Sequence, residues 1–172
     1  MTDLTQTDDL FFNHGGLDRA RLESILGDAL IGANDGELFL EYCQSESVSF
    51  DDGRVRNASF DTAQGFGVRA VSGYTTGYAH STELSEDDVR RAANTVKAAR
   101  SGHGGIYADA PMQTNASLYT EQTPLGEVVF DRKVALLSEI DRYLRGIAPG
   151  VVQVMASVSG EWRAIQCISP GG

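Results

Sequence analysis

The run Phe60 to His80, FDTAQGFGVRAVSGYTTGYAH, most restricts what this chain can fold into. Phe66, Val68 and Ala70 alternate with Gly67, Arg69 and Val71, which is the two-residue period of a strand. Ser72-Gly73 follows, and then Thr76, Tyr78 and His80 alternate with Gly77 and Ala79. Two strands joined so briefly must lie antiparallel, because a parallel return needs a long crossover. A chain holding this hairpin is committed to an antiparallel sheet.

The flanking sequence supplies more strands and the helices to cover them. Glu37 to Phe50 alternates Leu38, Leu40 and Tyr42 against Glu37, Glu41, Ser45 and Ser47. Asp51-Asp52-Gly53 then predicts a hairpin turn into a strand over Arg54 to Asp61, with a further strand over Gln64 to Ser72. Leu22, Ile25, Leu26, Ala29 and Leu30 mark one face of a helix from Leu17 to Ile31, with Gly32 placed to end it. Ser85 caps a second helix whose stripe of Val89, Ala92, Ala93, Val96 and Ala99 is narrow enough for close approach to a sheet. The longest helix runs from Val128 to Ile147, with Phe130, Val134, Leu137, Ile140, Leu144 and Ile147 expected to face the core. A closing hairpin is predicted from Val151 to Ile168 around Ser159-Gly160. The fold class is therefore α+β: an antiparallel meander plus a C-terminal hairpin, with the helices mainly on one face. Residues 1–16 read as a loose arm anchored by Leu10, Phe11 and Phe12, residues 17–169 as the domain, and residues 170–172 as a tail. Residues 106–126 read as an irregular connection.

Charge narrows the partners. Of 24 acidic residues 13 lie in residues 1–61, against only 4 of the 14 basic ones. Such a surface repels phosphate backbones and anionic membranes, so neither nucleic acid nor a lipid surface is expected. No apolar run approaches about 18 residues, and no secretory leader pattern opens the chain. Cys43 and Cys167 both fall in predicted strands and read as reduced core residues, with a disulfide between them left open.

No residue set announces catalysis. His14, His80 and His103 lack metal-ligand spacing, so no metal is expected. Gly65-Phe66-Gly67 leads into a strand and not a helix, which reads as a close backbone approach and not a phosphate loop. Ser72, Ser81 and Ser159 lack the strained turn of a nucleophilic serine, and Asp51 and Asp52 are explained by their turn. Arg69 is the one candidate site residue. As a charge among apolar strand neighbours it needs either a structural carboxylate or an interdomain or ligand contact.

Several of these residues carry a resemblance. Gln64-Gly65-Phe66-Gly67-Val68-Arg69-Ala70-Val71-Ser72-Gly73, then Thr76-Gly77-Tyr78-Ala79, resemble the N-terminal domain of the TldD/PmbA family, also called modulator of DNA gyrase. Gly36-Glu37-Leu38-Phe39, Ser117-Leu118-Tyr119 and Ala156-Ser157-Val158-Ser159-Gly160 extend it, so that it runs from about Leu17 to Ile168. The resemblance implies a cytoplasmic zinc-dependent peptidase acting on unfolded or modified peptides. TldD-type members hold zinc in a His-Glu-x-x-x-His motif of a C-terminal domain and work with a sister subunit lacking the metal. That motif does not occur here. No catalytic residue or metal ligand carries over, and the chain is expected to be inactive alone, its zinc belonging to a domain beyond Gly172. The implied role is to build a peptide-holding cavity and subunit contacts. A stand-alone interaction module is the alternative. Self-association is expected, through the closing hairpin with Trp162 and Ile165 or the glycine-rich strands.

Overall fold

The computed structural model describes residues 5–100 and 125–169. In order these form α1 (Thr5–Asp8), a π-helical turn (Asp9–Asn13), α2 (Arg19–Leu30), β1 (Asp35–Asp51), β2 (Arg54–Ser72), β3 (Thr75–Ser81), α3 (Glu86–Arg100), α4 (Phe130–Ile147) and β4 (Met155–Ile168). The strands make one antiparallel sheet ordered β3-β2-β1-β4, so the chain is α+β as its sequence predicts. The described residues gather into two compact units: 5–42, 64–100 and 164–169 in the first, 43–63 and 125–163 in the second.

In the first unit the glycine-rich hairpin sets the register. β2 and β3 pair from Phe66 opposite Ser81 to Ser72 opposite Thr75, with Arg69 opposite Tyr78. Leu38, Leu40, Phe66, Val68 and Ala70 are buried on one side of the sheet. α3 packs on β3, and α2 packs on α3. Gly77 makes the first of these contacts possible: a Cβ there would sit 2.9 Å from the Val96 carbonyl oxygen. Asp18 caps α2 by accepting from the Arg21 N–H at 3.1 Å, and Ser85 Oγ accepts from the Asp88 N–H at 3.1 Å. Thr5 to Asn13, within the stretch read as a loose arm, is helical, and Phe11 is buried.

In the second unit β1 turns into β2 at Asp52 and Gly53, with φ of 50° and 80°. Two adjacent left-handed residues are what a tight hairpin requires, hence the Asp-Gly pair. Leu137 of α4 packs with Val48 and Phe50 of β1 and with Ala156 and Val158 of β4.

Four further sequence expectations change. Arg54 to Ser72 is one strand, because Thr62-Ala63 supplies no turn residue. Met155 to Ile168 is likewise one strand and not a hairpin. Gly160 serves a close approach there, since a Cβ on it would lie 2.7 Å from Leu125 Cδ2. α4 buries Leu137 but leaves Phe130, Ile140, Leu144 and Ile147 exposed, against the expected core stripe. Cys43 and Cys167 are in strands but not in the core: both remain thiols, one half-buried and one exposed. His103, Ser117-Leu118-Tyr119, most of the 106–126 connection and residues 170–172 lie outside the described residues.

Candidate functional site

Arg69 points away from its buried neighbours Val68 and Ala70. The chain enters β1 beside it, held by two bonds: the Asn34 N–H donates to the Val71 carbonyl at 2.7 Å, and the Gly73 N–H donates to Asn34 Oδ1 at 2.6 Å. Asp35 and Glu37 therefore meet the guanidinium. Nη2 donates to Asp35 Oδ2 at 2.7 Å and Nε to Glu37 Oε1 at 3.0 Å. The bonds to Asp35 and then Glu37 hold the Arg69 guanidinium above its ordinary pKa. Arg69 thus has two carboxylate partners within its own unit.

The same open sheet face carries Tyr78 and His80, whose rings stack with centroids 5.6 Å apart. Gly67 lies beneath Tyr78, where a Cβ would be 2.8 Å from the phenol oxygen. Gly65 has the Ser81 carbonyl at a matching 2.9 Å, so both glycines mark close approaches, as their strand context predicts. Burial, and secondarily Glu37, push the Cys167 thiol up, which leaves it protonated and a poor nucleophile near neutrality. Ser72 is buried and donates to the Gly32 carbonyl, and Ser81 Oγ accepts from the Glu83 N–H.

The remaining sequence candidates are also accounted for. Asp51 accepts from Arg56 at 3.0 Å and from Gln153 at 2.8 Å, while Asp52 accepts from Arg145. Each acid thus has its own cation or amide, and the two do not form a proton-sharing pair. His14 Nδ1 lies 3.0 Å from the Asp9 carbonyl oxygen. Among the described residues no three His, Cys, Asp or Glu side chains gather as metal ligands. These residues do not fit a zinc centre.

Sequence reading missed a feature of the second unit. Lys133 Nζ bonds both Glu46 oxygens, at 2.5 and 2.6 Å, with the side chains only 10% and 20% exposed. Two grooves open beside this pair. One, of about 410 Å³, lies between Phe60 and Phe130; the other, of about 420 Å³, lies between Leu136 and Val158. The signal was present in the sequence. Glu46 shares the parity of the buried Val48 and Phe50, and Lys133 stands one turn before Leu137.

Residues 36–100, which hold β1 to α3, match the model of PmbA/TldA metallopeptidase domain 1. Residues 36–100 thus carry the signature of that family's first domain. It is 31% identical over 138 residues to the metalloprotease TldD homolog of Buchnera aphidicola subsp. Schizaphis graminum, covering 80% of this chain and 29% of the relative. With the Haemophilus influenzae TldD homolog it shares 28% over 139 residues, 79% of this chain and 29% of that one. The chain thus spans about three-tenths of the length of these curated relatives. A proposed modulator of DNA gyrase from Bacteroides thetaiotaomicron has the same fold, at TM-score 0.69 and 12% identity over 90% of this chain and 37% of that one. TldE from Thermococcus kodakarensis does so at 0.60 and 14% over 86% and 34%.

Proposed function

We propose that this chain is the N-terminal, non-catalytic domain of a TldD-like zinc metallopeptidase that acts on unfolded or modified peptides in the cytoplasm. The match of residues 36–100 to the family's first domain carries this reading. In it, the chain supplies a wall of the peptide-holding cavity and contacts to a sister subunit. The chemistry belongs elsewhere: zinc would activate water in a further domain, as a Lewis acid does in metallopeptidases generally. In this reading the described candidates have structural roles: Ser72 and Ser81 bond backbone groups, and His14 and His80 lie against the Asp9 carbonyl and Tyr78.

A labelled unfolded peptide incubated with the purified chain and zinc tests this. Saturable binding is expected, with the peptide recovered intact and no stoichiometric zinc retained by elemental analysis. Cleavage with one zinc per chain would overturn the non-catalytic role. Failure of any such peptide to bind would remove the cavity role and favour the interaction-module alternative.

A further inference from the structure

Among the described side chains of the first unit, Arg19, Arg21, Arg69 and Arg91 each hold a carboxylate, while Arg90 and Lys97 hold none. These two line the same groove between α2 and α3, a cavity of about 250 Å³. With Asn94 between them they are spaced four and three residues apart, so the three share one face of α3. From α2 the groove receives Asp28, whose carboxylate likewise has no ion pair or hydrogen bond. The floor is apolar: Ile25, Ala29 and Ala93 line it and are buried. A chain of net charge −10 has carboxylates to spare, so a shortage of acids does not explain why both cations stay unpaired at one cavity.

We propose that this groove binds a free amino acid or dipeptide by both of its charged ends. Arg90 and Lys97 take the carboxylate, a group that a guanidinium can bind with two parallel bonds. Asp28 takes the ammonium. The Asn94 amide offers a donor and an acceptor to the groups between, and the floor takes a small or aliphatic side chain. The set of groups selects this ligand over others. A polyanion such as phosphate would use the cations but set its charge against Asp28. A wholly apolar ligand would desolvate the polar rim and give it no partner. A zwitterion answers both signs at once. The cavity is smaller than those that hold drug-sized molecules, which limits the ligand to one or two residues. The rim side chains are exposed, so solvent screens each contact and a dissociation constant of about a millimolar is expected. The site lies wholly in the first unit and stands whether or not the chain serves a peptidase.

NMR titration of the isotope-labelled 172-residue chain with alanyl-leucine and with leucine tests this. Saturable shifts are expected at the backbone amides of Ala29, Ala93 and Asn94. Amidating the dipeptide's C-terminus or acetylating its N-terminus should each weaken binding at least about 5-fold. Arg90→Gln with Lys97→Gln should weaken it by a similar factor and leave thermal unfolding unchanged, since both side chains are exposed. Asp28→Asn should weaken the free dipeptide while strengthening the acetylated one and inorganic phosphate. Absence of saturable shifts with both alanyl-leucine and leucine well above a millimolar would overturn the proposal. So would phosphate binding the parent chain as tightly as the dipeptide, an acetylated dipeptide binding as well as the free one, or indifference to the double glutamine variant.

Discussion

α2 and α4 carry equally legible apolar periods and meet opposite fates. In α2, Leu22, Ile25, Leu26, Ala29 and Leu30 are all buried, and α3 covers the helix. In α4 only Leu137 and the stem of Lys133 are, while Ile147 is 60% exposed. A helical period reports that a face avoids water in some context. It does not report which body provides that context. The first unit provides it internally, with small residues on α3 and glycine on β3 drawing the layers together. The second unit covers only the part of α4 around Leu137 and Lys133 and leaves Ile140, Leu144 and Ile147 exposed.

The largest test of this contrast is a pair of truncations. Leu22→Ala should cost about 2–5 kcal/mol, the transfer loss plus a cavity that the packed first unit cannot close. Ile147→Ala should cost within about 0.5 kcal/mol of nothing in the dilute monomer, since its side chain already meets water. Urea unfolding of both variants at low concentration measures the two values. Comparable losses would show that α4 is held as a core helix and would erase the distinction.

Ion pairs differ between the units in the opposite direction from the helices. Lys133–Glu46 sits where the second unit excludes water, so breaking it leaves a carboxylate with no partner in a poorly solvated place. Lys133→Ala should cost about 2–3 kcal/mol, below the usual figure for a fully buried pair because Glu46 keeps some exposure. Removing both charges by Lys133→Met with Glu46→Leu should recover most of that loss. A double variant less stable than Lys133→Ala would mean that the pair stabilises outright and does not merely satisfy two buried charges.

How much of this was legible follows from what each signal reports. The glycine-rich hairpin was readable because strand alternation and turn chemistry are local, although its turn sits at Gly73-Tyr74, one residue past the expected Ser72-Gly73, which sets Arg69 opposite Tyr78. The Asp52-Gly53 turn was readable for the same reason. Ser159-Gly160 misled because the same residue type serves turns and close approaches; only the position of Leu125 decides between them. The exposed half of α4 was illegible because burial there depends on what is packed outside the helix. Arg69 was found as a candidate because a charge in an apolar strand is conspicuous, whereas Asp35 reads as a turn residue and Glu37 as one of several acids on the polar side of a strand. Lys133 and Glu46 went unremarked although each breaks a local pattern, since neither alone demands the other 87 residues away.

The smallest expected effect is at Arg69, and it separates a stitch from a site. The guanidinium is 34% exposed, Glu37 38% and Asp35 62%, so solvent screens both pairs. Arg69→Ala should therefore cost under about 1 kcal/mol, and the loss should shrink as salt is added. Arg69→Lys should recover only part, because an ammonium cannot hold two carboxylates with a planar fork. The sign of the pH dependence is also fixed. The folded state holds this proton more tightly than the unfolded one, so the contribution is complete at neutral pH and fades only in strong alkali. Melts of parent and Arg69→Ala should accordingly differ by the same small interval across the neutral range. A melting difference of many degrees that persists in high salt would mark Arg69 as a buried structural keystone. No difference at any ionic strength, together with weakened peptide binding, would instead return it to the ligand-contact role that its sequence leaves open.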